Sequence, residues 1–372
     1  MAEYPSEIYV PREKENKSGV VYDPTKKTVM YVEDLQALDD EVVAIETELG
    51  ENPKGEHADV AAYLAWLESQ IGGGGGTPHP ALLYEIQSAS YGGSPYAITM
   101  DDTYVYISGT TTYTIRKYLK SDLSFVAESP SYGAAMSALA QSGDYVYGAG
   151  GGVNRIYKFL KSDMSKVAES DQYGGAVQAM AISGNYIYIA GATVKTVKKF
   201  LLSDLSYIGA TPDYGGTINS ILIDDTYIYA GGATTQRIRA YLLSDLSYAA
   251  QSDDFGGEIK VICKNTTHLF AVGAAALSSK QYLISDLSFV KAFARPKSTV
   301  WAMGCDETYL YVGSYSDNCI RMHRISDATL VSTSMPASGY PRCMYVEGSY
   351  VYWCDDSAYV IHKTKIGSIM IQ

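Results

Sequence analysis

A unit of 41 residues recurs seven times in this chain without insertion or deletion. A Tyr-x-Tyr pair marks it at Tyr104/Tyr106, Tyr145/Tyr147, Tyr186/Tyr188, Tyr227/Tyr229, Tyr309/Tyr311 and Tyr350/Tyr352, with His268/Phe270 in the fifth slot. A Ser-Asp dipeptide keeps the same step, ending at Asp122, Asp163, Asp204, Asp245, Asp286 and Asp327. A period of about 40 residues restricts a chain to helical solenoids or to four-stranded propeller blades, since each unit buries its apolar face only against a neighbour. Local pattern decides between them. In the first copy, residues 97–100, 103–108, 114–119 and 125–129 are short stretches rich in β-branched and aromatic side chains. Turn formers separate them at Asp101-Asp102, Gly109-Thr110-Thr111 and Ser121-Asp122. No stretch sustains a helical period for about ten residues, so each copy reads as four strands. The expected fold is mainly β, a seven-bladed propeller over residues 82–372 behind a short helical module.

Ring closure is legible too. Leu82-Leu83-Tyr84-Glu85 aligns with Leu123-Ser124-Phe125-Val126, a fourth-strand position, although no first three strands precede it. This N-terminal strand is expected to complete the seventh blade, whose own chain ends after its third strand. The tail 369–372 competes for the same slot, and the sequence leaves that choice open. Joining the ends removes an open sheet edge. Gly109, Gly150, Gly191, Gly232 and Gly273 end the second strands, where a tight turn or crowding favours a missing side chain. The Ser-Asp dipeptides are expected to make local turn hydrogen bonds, and the Tyr pairs to sit between blades.

The repeat lacks the Gly-His and Trp-Asp markers of WD40 blades. Ser94-Pro95-Tyr96-Ala97-Ile98, then Asp101-Asp102-Thr103-Tyr104-Val105-Tyr106-Ile107 and Gly109, resemble the YVTN-type propeller repeat. That resemblance implies a fold and a surface-binding habit, with no single ligand.

The period changes ahead of the ring. Leu35, Leu38, Val42, Ile45 and Leu49 stand at alternating steps of 3 and 4, and Val60, Leu64, Leu67 and Ile71 do likewise. Residues 32–71 are therefore expected to be a coiled-coil-like assembly module, with Asp34 capping the first helix and Gly50 and Pro53 ending it. Val42 and Ile45 at central seam positions favour three strands over two. Short helices do not bury such stripes alone, so a homo-oligomer, a trimer by this seam, is the expected state. Residues 72–81 read as a Gly-rich linker, whose nine residues 72–80 reach only about 15–18 Å. Residues 1–76 hold 16 acidic and 6 basic side chains of the chain's 41 and 29, so most of the net charge of −12 belongs to this module.

Tyr22-Asp23-Pro24, Glu33-Asp34-Leu35-Gln36-Ala37-Leu38, the run from Glu41 to Gly50, Asn52-Pro53 and Gly55 resemble a segment common in tailed-phage virion proteins. In tail fibres and related appendages that segment forms an assembly region ahead of a variable distal domain. The resemblance implies that residues 1–31 dock to the virion, and that residues 1–71 as a whole contact other virion proteins. It also implies a protein made in the host cytoplasm and carried on an extracellular particle.

Signals for chemistry are thin. His57 and His79 lie outside the ring, His268 fills a Tyr slot, and His323 and His362 have no partner motif. The acid pairs Asp101/Asp102, Asp224/Asp225 and Asp355/Asp356 are neighbours on turns, whereas acid–base catalysis needs carboxylates opposed across a substrate. The five cysteines, at separations of 42, 14, 24 and 11, fit no zinc spacing and read as free thiols from a reducing compartment. No enzyme activity, metal or cofactor is expected. Nor is nucleic acid, for want of a basic stripe, or membrane insertion, for want of an apolar run of about 20 residues. Met1-Ala2-Glu3-Tyr4-Pro5 has no secretory signal character.

Binding is better supported. The column that starts at Tyr96 continues as Ser137, Gln178, Asn219, Lys260, Trp301 and Arg342, polar or aromatic and different in every copy. Its neighbour column, Ala97, Ala138, Ala179, Ser220, Val261, Ala302 and Cys343, stays small. A kept framework with one varied column is the pattern of a binding surface. Blades five to seven depart furthest from the repeat, carrying Arg295, Trp301, Tyr315, Tyr340, Arg342 and Trp353. Aromatic and Arg side chains there suit sugars, acidic groups or protein interfaces. A phage-type appendage that binds a host-surface glycan or protein through this rim is the reading these features favour. A decoration protein of the particle, or a cellular adhesin or lectin, is the alternative.

Overall fold

A computed structural model describes residues 78–370, apart from 153, 275–278, 295–298, 316–317 and 335–338. The heptad seams at Leu35, Leu38, Val42, Ile45, Leu49, Val60, Leu64 and Leu67 therefore lie outside the described residues, as does Arg295. The first element, β1 (Pro78–Gln87), is followed by β2 (Pro95–Met100), β3 (Tyr104–Gly109), β4 (Ile115–Leu119) and β5 (Phe125–Glu128). Strands β2 to β5 form one antiparallel four-stranded sheet in chain order, and the next five copies repeat it. First strands of successive sheets touch all the way round, including β2 with Pro341–Glu347, so the sheets close a seven-bladed ring with these strands innermost. The fourth strands lie outermost and are mostly four residues long, which blunts their open edges.

The seventh blade is assembled from both ends of the ring. Its sheet holds Pro341–Glu347, Tyr350–Asp355 and Val360–Met370, with β1 outside the last of these. The N-terminal strand thus takes the fourth-strand slot, and residues 369–370 simply prolong the third strand. Strand β1 starts at Pro78, so its first residues fall within the stretch 72–81 expected as linker. Ser88 ties the junction: its N–H donates to the Ile361 carbonyl and its hydroxyl accepts from the Ile361 N–H, both at 2.9 Å.

The repeated residues explain why the blades hold. Among the described residues, seven apolar clusters lie between adjacent blades. Each receives the second ring of one aromatic pair: Tyr106, Tyr147, Tyr188, Tyr229, Phe270, Tyr311 or Tyr352, all buried. Lys117, Lys158 and Lys363 hold their ammonium groups 3.7, 4.1 and 4.5 Å from the ring centroids of Tyr104, Tyr145 and Tyr350. The same groups donate to turn carbonyls of the next blade, at Lys161, Leu202 and Ser121, so each lysine links two blades.

The Ser-Asp dipeptides are turn devices. Asp122, Asp163, Asp204, Asp245, Asp286 and Asp327 each accept the N–H two residues on, at 2.9–3.0 Å. The intervening residue adopts positive φ, as at Leu123, Leu205 and Leu246, and burial of its apolar side chain offsets that strain. The glycines that end the second strands have a different cause. A Cβ at Gly109, Gly191, Gly232 or Gly273 would lie 1.8–2.0 Å from the carbonyl oxygen just before the innermost strand. Crowding against the blade's own first strand excludes a side chain there, and none of the four has positive φ.

Candidate functional site

The variable column owes its position to a bulge. In six blades the innermost strand carries one unpaired residue at its start: Tyr96, Gln178, Asn219, Lys260, Trp301 or Arg342. In the second blade Ser137 stands just ahead of Ala138–Ser142. A bulged residue has no place in the hydrogen-bond ladder, and the local bend re-aims its side chain. All seven line one cavity of about 760 Å³ in the ring of innermost strands. The small column lines it next, as Ala97, Ala138, Ala179, Ser220, Val261, Ala302 and Cys343. A third tier follows, Ile98, Leu139, Met180, Ile221, Ile262, Met303 and Met344, apolar in every blade. These third-tier side chains also pack in the apolar clusters between blades, so the varied column supplies the polar and aromatic lining. Sequence reasoning missed the third tier, although its uniform apolarity was readable in the same alignment.

The contacts within the mouth concentrate where blades four to seven and blade one meet it. The Arg342 guanidinium lies 4.4 Å from the ring centroid of Tyr96 and 4.4 Å from that of Trp301. Lys260 sets its ammonium 4.7 Å from the Trp301 ring and pairs with Glu258 at 2.8 Å. Asn219 Nδ2 donates to Glu258 Oε1 at 2.9 Å and to the Ile259 carbonyl at 2.8 Å. Burial works against ionising Glu258, but hydrogen bonds from Lys260 and Asn219 outweigh it and hold the carboxyl below its ordinary range. Ser137 spends its hydroxyl on the Val177 carbonyl, 2.7 Å away.

Tyr315 and Tyr340 are not among the cavity's lining residues. They form a pair beside it, centroids 4.3 Å apart, and Arg342 Nη1 donates to the Tyr340 hydroxyl at 3.5 Å. Burial and the Asp356 carboxylate push Tyr340 up to about 12, so its hydroxyl stays protonated at neutral pH. The eight sequence-nominated residues thus occupy one region: six, from six blades, line the mouth, and Tyr315 and Tyr340 extend it.

Groups with catalytic potential serve the frame. Asp101 accepts the N–H groups of Thr103 and Tyr104 and the Tyr106 hydroxyl, while Asp102 is exposed. Asp224 repeats this with Thr226, Tyr227 and Tyr229. Asp355 is buried; desolvation opposes its charge, but His362 and the N–H groups of Ala358, Ser357 and Gly339 outweigh it and hold its carboxyl well below the usual range. His362 stacks on Trp353, centroids 4.1 Å apart, and His268 tilts against Phe270. Cys263, Cys305 and Cys343 are half-buried free thiols, and Cys319 and Cys354 are buried. Among the described residues no three His, Cys, Asp or Glu side chains converge as a metal site, and no helix is long and apolar enough to cross a membrane.

No protein family matches the chain, and no curated protein does. Solved structures do match. The crystal structure of the computationally designed Ika8 protein aligns with 77% of this chain and 100% of its own, at a TM-score of 0.60 and 13% identity. At that identity the likeness shows the propeller fold alone.

Proposed function

We propose that this chain is a non-enzymatic structural protein of a phage or phage-like particle, and that its propeller binds a glycan or protein of the host surface. The observation that carries the binding role is the convergence of the varied column from Tyr96 to Arg342 on a single cavity mouth. Drift at a solvated rim would vary side chains without orienting them, whereas here Arg342, Tyr96, Trp301, Lys260, Glu258 and Asn219 are held by one another. The assembly role rests on the N-terminal sequence: the heptad seams and the likeness of residues 22–55 to a tail-fibre segment. In this reading residues 1–71 join three chains and attach them to the particle, and three weak contacts sum to useful avidity.

Screening the full chain on a glycan array and on host cells is the direct test. Binding to a restricted set is expected, with Trp301→Ala weakening it about 30-fold, as for a central aromatic anchor. A blank on both surfaces would sink the receptor reading and leave a decoration role. Assembly has its own measurement. Light scattering of the full chain is expected to give a trimer, and Val42→Asp with Ile45→Asp a monomer. A monomeric native chain would refute that part.

A further inference from the structure

Resting on the binding role proposed above, we infer that the cavity mouth takes a sugar bearing a single carboxylate, which the Arg342 guanidinium receives. Arg342 is fixed but unspent. A guanidinium carries five N–H donors in a planar fork, and among the described residues the one hydrogen bond Arg342 makes is the long one to Tyr340. No carboxylate pairs with it among the described residues, whereas Arg116, Arg155 and Arg324 on the outer surface are paired with Glu128, Glu169 and Asp327. The rings of Tyr96 and Trp301, each 4.4 Å away, hold the guanidinium in place before any ligand arrives. Ordering the side chain is therefore not charged to binding, and a planar fork meets a planar carboxylate with two parallel hydrogen bonds.

The surroundings narrow the ligand further. Among the described residues, Lys260 and Arg342 are the charged ones that line the cavity, and none that lines it is acidic. Glu258 already neutralises Lys260 at 2.8 Å, which leaves Arg342 as the unanswered cation among the described lining residues. One acidic group fits this balance better than a polyanion, whose further charges would find no second unpaired cation among the described lining residues. Beyond the Tyr340 hydroxyl, Tyr315 keeps 49% of its surface exposed, and its ring offers a flat face to the C–H side of a pyranose. A cavity of about 760 Å³ accommodates one or two sugar rings. An acidic peptide would bring the same carboxylate, but it has no use for a flat aromatic face placed beside the fork.

The test titrates the full chain, followed by protein-observed NMR, with methyl glucuronide, methyl glucoside and N-acetylglutamate amide. The uronide is expected to bind at low millimolar concentration, and both other probes at least about tenfold more weakly. Arg342→Ala is expected to remove at least about tenfold of the uronide affinity, and Arg342→Lys to fail to restore it, because an ammonium keeps the charge but lacks the fork. Unchanged melting temperatures would show that both variants fold. Equal binding of uronide and glucoside, equal binding of the acidic amide, no uronide binding, or an unaltered Arg342→Ala titration would each overturn the carboxylate site. The wider receptor reading fails separately: it survives any of these results if the array or host cells still bind, and falls only if they are blank.

Discussion

Removing residues 78–87 from the full chain is expected to lower the melting temperature of the ring by about 10 °C or more and to make it aggregate. Strand β1 joins two apolar clusters on either side of the seventh blade: Leu82 sits with Tyr311, Ile320, Met322, Val331 and Trp353, and Ile86 packs against the cluster of Tyr91, Val105 and Tyr352. Its Leu82 N–H also donates to the Ser332 hydroxyl of the sixth blade, 3.1 Å away. Losing Leu82 alone would forfeit about 2–5 kcal/mol, as for other buried leucines, and the deletion takes the rest of the strand with it. It also bares the backbone of Val360–Met370 as a long open edge, a template for pairing with other chains. Circular-dichroism melts and sedimentation velocity would measure both effects. Adding a peptide of residues 78–88 in trans is expected to recover part of the lost stability, since the slot accepts a strand by its backbone. A deletion variant that melts within about 2 °C of the native ring would refute this account of closure.

The second large effect is at the glycines opposite the bulges. Gly232→Ala is expected to cost about 3 kcal/mol, because its Cβ would stand 1.9 Å from the Thr217 carbonyl oxygen and 2.9 Å from the Ile218 Cα, both backbone. Relief requires moving the start of the innermost strand, and with it Asn219. Gly184→Ala is the matched control: its φ of +54° strains a side chain, but nothing lies within 4 Å of the added methyl. Its cost is about 1–2 kcal/mol, the left-handed penalty alone. Chemical denaturation of both variants decides the matter. Equal losses would mean that the collision is absorbed and that crowding is not why these positions are glycine.

Much of the frame was legible before any coordinates. The four strands of the first copy lie within about two residues of their sequence-read bounds, which is ordinary agreement at strand ends. The alignment of Leu82-Leu83-Tyr84-Glu85 with a fourth strand anticipated β1, and the Asp turns and buried Tyr rings follow the same logic. The reason is that a repeat displays each structural rule several times over, so pattern separates from chance. Single-copy features stayed hidden. Pro78–Ala81 resembles no repeat position and reads as linker, although it pairs as strand. The sequence offered a tight turn or crowding as the cause of the glycines, and the collision with the Ser94 or Thr217 carbonyl that decides for crowding is visible only in the fold.

The rim column shows where the division falls. Its variability and polar character were written in the alignment, because a 41-residue step brings equivalent side chains into one list. Its chemistry was not. Tyr96, Trp301 and Arg342 belong to the first, sixth and seventh copies, and they meet because the ring closes blade seven onto blade one. Periodicity determines the unit, the number of blades and which positions recur, since those depend on local strand and turn preferences. Which unlike residues face one another, and which cation is left without a carboxylate, depends on lateral packing across the closure. Only the tertiary structure decides that.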